Sequence, residues 1–370
     1  MIIPFLFLFS FSLINLVGAL DLHRVKRQVR TSATLWSNNQ VNYYFENLND
    51  DKNLMVLVAM KYISDRTCIK FVEDASAAQK VLIDGASTLC ASDIGAGSGF
   101  KIQFGGCNST GDAIRFIYEH TRPDRDTYLY VNNTEVRTIN DSQLTVDVEK
   151  GPWGEVDVYV PFDFGSIMMY GLNVYGKRVM LPRDSRHEMT LGNQRVGFYD
   201  IQKINNAYDC KCSKDLACAN GGYTNPANCS ICICPPGFFG KLCKKIEPST
   251  LNEFNATDYW QSRSISFNNP ERQTSLTSFR NSFAYINAPE GKSIEIIVDR
   301  LENFSCDYGC NLNGVEIKSN EDRMSVSPII CCPDQRVVKK TIKTSNNPTI
   351  IEMYSRVRQV ATIGFRFRYV

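Results

Sequence analysis

The sequence predicts a multidomain α+β protein: an amino-terminal domain mixing helices and strands, a small disulfide-rich module, and a carboxy-terminal β-sandwich. Three observations carry this. The chain has 370 residues, more than the roughly 100–200 of one ordinary domain. Six of its fourteen cysteines crowd into residues 212–243, a density that belongs to an oxidising compartment, where disulfides stand in for the core a short module cannot build. Beyond Pro248 apolar and polar residues alternate with period two, as in sandwich strands. With 41 basic against 39 acidic residues and a net charge of +2, the composition sets aside nucleic acid and anionic membranes as partners.

Residues 5–17 read FLFLFSFSLINLV, shorter than the roughly 20 residues of a membrane span. Val17-Gly18-Ala19 supplies small residues for signal peptidase, so residues 1–19 are a signal peptide cut after Ala19. An uncleaved anchor would leave the basic cluster, and the cysteines behind it, in the cytosol by the positive-inside rule, against their density. Arg24-Val25-Lys26-Arg27 is a dibasic processing run, which makes residues 20–27 a short propeptide ending at Arg27. No other segment is apolar enough to cross a bilayer, and the expected location is secreted, extracellular.

Residues 36–50 alternate through Val41, Tyr43 and Phe45, which predicts a half-buried strand. A helix follows, with Leu54, Val58 and Tyr62 at four-residue spacing and Leu57 and Met60 filling the same face; Asp65-Arg66-Thr67 ends it before a strand over 68–72. Short strands are expected at 80–84 and 99–104, and helices at 111–121 and 198–208. The mixed pattern stops at Cys210. From there the six cysteines of 212–243 form three disulfides, with fifteen pairings open. The later strands include 292–298, 315–318 and 361–370.

Several blocks then fall in order: Trp36; Thr67-Cys68-Ile69-Lys70-Phe71-Val72; Gly105-Gly106-Cys107; Arg122-Pro123-Asp124-Arg125-Asp126; Phe162-Asp163-Phe164-Gly165-Ser166-Ile167-Met168-Met169-Tyr170-Gly171; and Phe198-Tyr199-Asp200 through Tyr208 and Cys210. Together they resemble the astacin metalloproteinases, members of the metzincins, over roughly residues 30–210. The trailing modules look like an EGF-like domain and a divergent CUB domain. The resemblance implies an astacin-like peptidase domain at 28–210, an EGF-like domain at 211–244 and a CUB-like domain at 250–370. It also implies disulfides Cys68 to Cys210 and Cys90 to Cys107. Cys212, Cys218, Cys229, Cys232, Cys234 and Cys243 then belong to the EGF-like module, and Cys306, Cys310, Cys331 and Cys332 to the CUB-like one.

An astacin cleaves peptides with a zinc ion held by the three histidines of HExxHxxGxxH, the glutamate serving as general base. Here the corresponding block reads Gly111-Asp112-Ala113-Ile114-Arg115-Phe116-Ile117-Tyr118-Glu119-His120. Aligned from the right, Tyr118 falls on the third histidine, Arg115 on the turn glycine, and the segment that would carry HExxH is absent. The chain holds only His23, His120 and His187, and His23 precedes the cut after Arg27, so a three-histidine site is arithmetically impossible. A site built on Tyr118, His120 and Tyr170 would rely on neutral tyrosines, poor ligands near pH 7. The expected remnants are therefore Tyr118, Glu119, Met168 and Tyr170: Met168 matches the family's Met-turn residue, Tyr170 the tyrosine that approaches zinc, and Glu119 the glutamate that contacts the freed amino terminus. Met169 replaces the usual histidine between Met168 and Tyr170. His187 begins a run like the motif, His187-Glu188-Met189-Thr190-Leu191, but Leu191 closes it, and His187 is expected to be an ordinary exposed side chain.

The expectation is thus a secreted pseudoprotease without zinc that binds extracellular proteins. A working zinc endopeptidase of the same family is the first alternative; a matrix or adhesion protein acting through residues 212–370 alone is the second. Asn206-Ala207-Tyr208-Asp209-Cys210-Lys211 lacks the acidic cluster of calcium-binding EGF-like modules, while the CUB-like module leaves calcium open. Sequons begin at Asn108, Asn132, Asn140, Asn228, Asn255 and Asn303; Asn228 is a poor acceptor, since Cys229 follows it and is expected in a disulfide. Mass spectrometry of the secreted protein should find a start near Gln28, glycans on some of these asparagines and no free thiol. An intact Met1, or several reduced cysteines, would contradict the secretory assignment.

Overall fold

In the computed structural model, which describes residues 35–88, 90–92, 99–107, 119, 122, 124–139, 160–174, 176–247, 250–270 and 279–370, the first strand, β1 (Gln40–Glu46), is the organising element of the amino-terminal sheet. The expected leader and propeptide with Ala19 and Arg27, the helix expected over 111–121 with Tyr118 (all but Glu119), and the sequons at Asn108 and Asn140 lie outside the described residues. β1 pairs in parallel with β2 (Lys70–Glu73) on one side and β3 (Val81–Asp84) on the other. β5 (Phe100–Gln103) adds to β3 in parallel, and the short β4 (Ala91–Ser92) closes the edge antiparallel to β5. Parallel neighbours need a crossover, and the helix α1 (Asp50–Ser64) supplies it between β1 and β2.

Helix α1 starts where the Asn49 side chain accepts the Lys52 N–H at 2.9 Å, and Asp50 and Asp51 sit at the positive end of the helix dipole. The face it buries is not the one expected. Val56, Ala59 and Ile63 are buried, whereas Leu54 is 60% and Leu57 41% exposed. Ala59 is small enough to bring the helix close, and Ile63 packs with Ile69 beside Ile204 of the helix Phe198–Ala207 and Tyr208 at its end. A stripe chosen by side-chain bulk is thus rotated from the one chosen by fit. The Cys68–Cys210 disulfide fastens the same corner across 142 residues of chain, and Cys90–Cys107 ties β4 to the end of β5.

After Cys210 two small ribbons, Tyr223–Thr224 with Cys232–Ile233 and Phe238–Phe239 with Lys245–Ile246, are held by Cys212–Cys229, Cys218–Cys232 and Cys234–Cys243. Residues 250–370 form a five-stranded and a four-stranded sheet around one apolar core that includes Ile265, Phe267, Val298, Ile351, Phe365 and Phe367. Cys306–Cys332 and Cys310–Cys331 bridge the loops at one end. Among the described residues no helix is long and apolar enough to cross a membrane.

The strands Asn313–Ile317 and Thr349–Ser355 are buried at every position. In a strand only alternate residues reach one core, so a second partner must cover the other face. Val315, Ile317, Ile351 and Met353 point into the core of their own two sheets. Glu316, Glu352 and Tyr354 point the other way, where Arg195 of the first domain meets them. The Arg195 guanidinium lies 4.1 Å from the Tyr354 ring centroid, pairs with Glu352, and is 3.7 Å from Glu316. Lys318 holds the other oxygen of Glu316 at 2.6 Å. Asn193 donates to the Gly309 carbonyl at 2.7 Å, and Thr190 Oγ1 accepts the Ile329 N–H at 3.0 Å. The disulfide module is drawn in as well: Val160, Phe198 and Tyr199 share one cluster with Tyr223, Ile233 and Met324, and Tyr285 donates to the Gly237 carbonyl at 2.6 Å.

Glu316 and Glu352 are 1% and 0% exposed, with only Lys318 to balance them from their own module. Arg195 brings the buried charges to two against two. Removing one partner of such a set strands a charge in low dielectric, which costs about 3–5 kcal/mol. Arg195→Met in the full chain should lose that much in urea unfolding; a loss under about 1 kcal/mol, the range of an exposed pair, would show that the junction does not depend on it.

Candidate functional site

The segment that carries Met168 is a tight turn. Ser166 N–H donates to the Asp163 carbonyl at 3.1 Å and Met169 N–H to the Ser166 carbonyl at 2.9 Å, which coils residues 163–169. The turn is fixed from below by Asp200. One oxygen accepts Ser166 Oγ–H at 2.5 Å; the other accepts the Ile167 N–H at 3.1 Å and the Gly197 N–H at 2.8 Å. Asp200 is in the first turn of the helix Phe198–Ala207, where Gly197 is the cap, so one carboxylate caps a helix and shapes the turn together.

Met168 is 6% exposed and its carbonyl accepts the Glu119 N–H at 2.9 Å. Met169 is 1% exposed, in a cluster with Leu129, Phe162, Leu172 and Met180, and Tyr170 packs half-buried against that cluster. The structure therefore brings Glu119, Met168 and Tyr170 into one region. Tyr118 and His120 lie outside the described residues.

Glu119 is 3% exposed, and both of its oxygens are engaged. One accepts Arg122 Nη1 at 2.9 Å and the Asp163 N–H at 3.1 Å; the other takes Lys203 Nζ. Arg122 reaches on to Asp124 at 2.7 Å and to the carbonyls of Val160 and Pro161 at 3.1 and 3.2 Å. Burial raises Asp200, against the pull of Lys203 and of the hydrogen bonds it accepts. Burial and then the Asp200 charge push Asp163 up to about 7. These groups form a charge cluster under the turn, and sequence reasoning drew only Glu119 from it. The missed signal was Asp163 and Asp200 inside otherwise apolar runs, FDFGS and GFYDI, where an acid must have a buried partner.

His187 is not exposed as expected. It is 3% exposed, its ring stacks on Phe164 with centroids 4.1 Å apart, and its Nδ1 is buried without a hydrogen-bond partner. The apolar wall of Phe164 explains this: the imidazole packs as a flat neutral ring. Burial pushes it down to about 3, against the nearby Asp184 charge.

Zinc needs three or four nitrogen, sulfur or carboxylate donors converging on one point. Among the described residues such a group occurs once, at Cys306, Cys332 and Asp334, where the two sulfurs are joined to each other. Among the described residues nothing of that kind gathers at Met168 and Tyr170, and the orphaned Nδ1 of His187 lies against the Phe164 ring. The described residues do not fit a zinc site.

The family model of astacin, a peptidase family, matches residues 28–209. Zinc metalloproteinase nas-24 of Caenorhabditis elegans is 39% identical over 372 residues, covering 96% of this chain and 91% of that protein. Zinc metalloproteinase nas-19 of the same organism is 40% identical over 364 residues, covering 94% and 89%. Among solved structures the chain is similar to high choriolytic enzyme 1, a hatching enzyme zinc-protease from Oryzias latipes, at 23% identity and a TM-score of 0.40, covering 48% of this chain and 94% of that one.

The neutral state of His187 sets a pH dependence. Its folded value lies below the ordinary 6.5, so as pH falls through 6.5 the unfolded chain takes a proton that the folded chain refuses, and stability is lost. Measured against His187→Gln, the wild-type chain should lose roughly 1.4 kcal/mol for each pH unit below 6.5. Urea midpoints for the two proteins that run parallel from pH 7 to 4.5 would rule this out.

Proposed function

The chain belongs to the astacin family of metallopeptidases, and we propose that it is a member without catalytic activity, a secreted protein that acts by binding extracellular proteins. One observation carries this: HExxH, which supplies two ligands and the general base, occurs nowhere in the chain, and Tyr118 stands at the third ligand. Without a metal nothing brings a water to a pKa near 7, so no hydroxide forms to attack a peptide. The chain's own residues support the same reading. Glu119 is committed to Arg122 and Lys203, and Asp163 and Asp200 are buried under the turn, so none of the three presents a free base to a cleft.

Under this proposal residues 28–210 are the degenerate peptidase domain, 211–244 an EGF-like module and 250–370 a CUB-like β-sandwich. The three disulfides of the middle module and the two facing sheets of the last support these assignments. The buried junction around Arg195 favours binding by the assembled chain over adhesion through residues 212–370 alone, because those residues would be left with unbalanced carboxylates.

A working zinc endopeptidase is the rival reading, favoured by the retention of Met168 and Tyr170 and by relatives whose names are those of zinc metalloproteinases. Elemental analysis of the purified secreted protein, beside a peptide-library digest with a chelator control, separates the two. The proposal expects folded protein with far less than one zinc per chain and no cleavage. About one zinc per chain with chelator-sensitive cleavage would establish the rival.

A further inference from the structure

Three carboxylates are buried beneath the turn, Glu119 at 3%, Asp163 at 0% and Asp200 at 5% exposure, and two cations reach them, Arg122 and Lys203. Arg122 also serves Asp124, which is partly exposed. Among the described residues the buried cluster is therefore one positive charge short. The hydrogen bonds say where the deficit falls. Both oxygens of Glu119 and both of Asp200 are taken up by cations, hydroxyl or backbone N–H groups. Asp163 is different: Oδ1 accepts the Gly165 N–H at 3.0 Å and the Val326 N–H at 3.1 Å, while Oδ2 is buried with no partner.

The Val326 contact crosses from the last module to the first domain, so Asp163 sits in the junction itself. The fit there is close. A Cβ on Gly165 would stand 2.4 Å from the Val326 side chain, and one on Gly197 would stand 3.3 Å from Asp163 Oδ2 itself, so the chain closes on this carboxyl from two sides. We propose that this junction is held by a proton on Asp163, and that releasing the proton loosens the loop carrying Val326 from the first domain. The inference is independent of whether the chain cleaves peptides.

The other titratable or charged groups packed around it are Glu119, Arg122, Asp200 and Lys203, already counted; Tyr199, which feels the Asp163 charge and donates Oη–H to Asp322; Asp322 itself, on the Val326 loop; and His187, stacked on the neighbouring Phe164. Asp163 is raised from 3.8 to about 7. Between those values the folded chain keeps a proton that the unfolded chain has lost, so stability is highest at the acid end and falls as pH rises to about 7. His187 acts in the opposite sense below 6.5, so the wild-type profile alone blunts the effect and a difference measurement is required.

The test is urea unfolding of the full secreted chain and its Asp163→Asn variant from pH 5 to 8.5, with hydrogen exchange of the segment around Val326. Asparagine is close in shape to the protonated acid and carries no charge. The folding constant of the variant should gain on wild type by roughly tenfold per pH unit between 5 and 7 and hold steady above that. In the wild type, exchange near Val326 should accelerate from pH 5 to 7 beyond the intrinsic rise in rate and follow the intrinsic rise alone above that, a readout that needs no variant. A constant ratio across the range, failure of Asp163→Asn to fold at pH 5, or Asp200→Asn reproducing the effect while Asp163→Asn does not, would each overturn the proposal.

Discussion

The Arg195 guanidinium, held between Glu352, Glu316 and the Tyr354 ring, is the contact on which the arrangement of the modules depends. Two strands of the last module are buried on both faces, and the second face carries carboxylates. Such a face is stable against water or against a matched cation, and Arg195 is that cation. Because guanidinium is planar and always charged, it can pair with an acid at its edge while an aromatic ring covers its flat side. Asn193 and Thr190, within a few residues, add hydrogen bonds to the same seam, so one short segment of the first domain supplies several of the contacts that dock the last module.

The seam continues to the degenerate site. Asp163 binds Val326 across the junction and Gly165 inside the turn; Asp200 holds Ser166 and Ile167 from the helix beneath. These bonds define the turn without any metal, which gives a physical reason why the turn can persist in a chain that has no HExxH. The helix Phe198–Ala207 serves both ends, since Tyr199 donates to Asp322 on the last module while Lys203 reaches Glu119.

Much of the fold was legible in the sequence, because period-two and helical patterns report burial against a chain's own neighbours. Val41, Tyr43 and Phe45 do share one core, and the alternation in 292–298 and 361–370 matches strands Ile294–Glu302 and Gln359–Tyr369. What was not legible is burial created by another module. Glu316 and Glu352 stand at outward positions of their strands, where a polar residue reads as solvated, and their partner Arg195 is 157 residues from Glu352 along the chain. His187 failed because its wall is Phe164, from a distant segment of the same domain. The face of α1 failed because four-residue spacing of bulky residues was weighed above the small Ala59 that permits close packing. In the candidate site the missing motif was plain, yet the acids that hold the turn had no local pattern to announce them.

The account stands on the claim that charges from separate modules compensate one another in a common interior, and a double-mutant cycle on Arg195 and Glu352 in the full chain tests this most directly. Arg195→Met and Glu352→Gln each strand a charge, whereas the double variant leaves only Glu316 with its Lys318 partner. The account predicts that the double variant loses far less than the two single losses combined, a coupling of about 2 kcal/mol or more. Losses that add to within about 0.5 kcal/mol would mean that the two groups act independently and that the junction is held by something else.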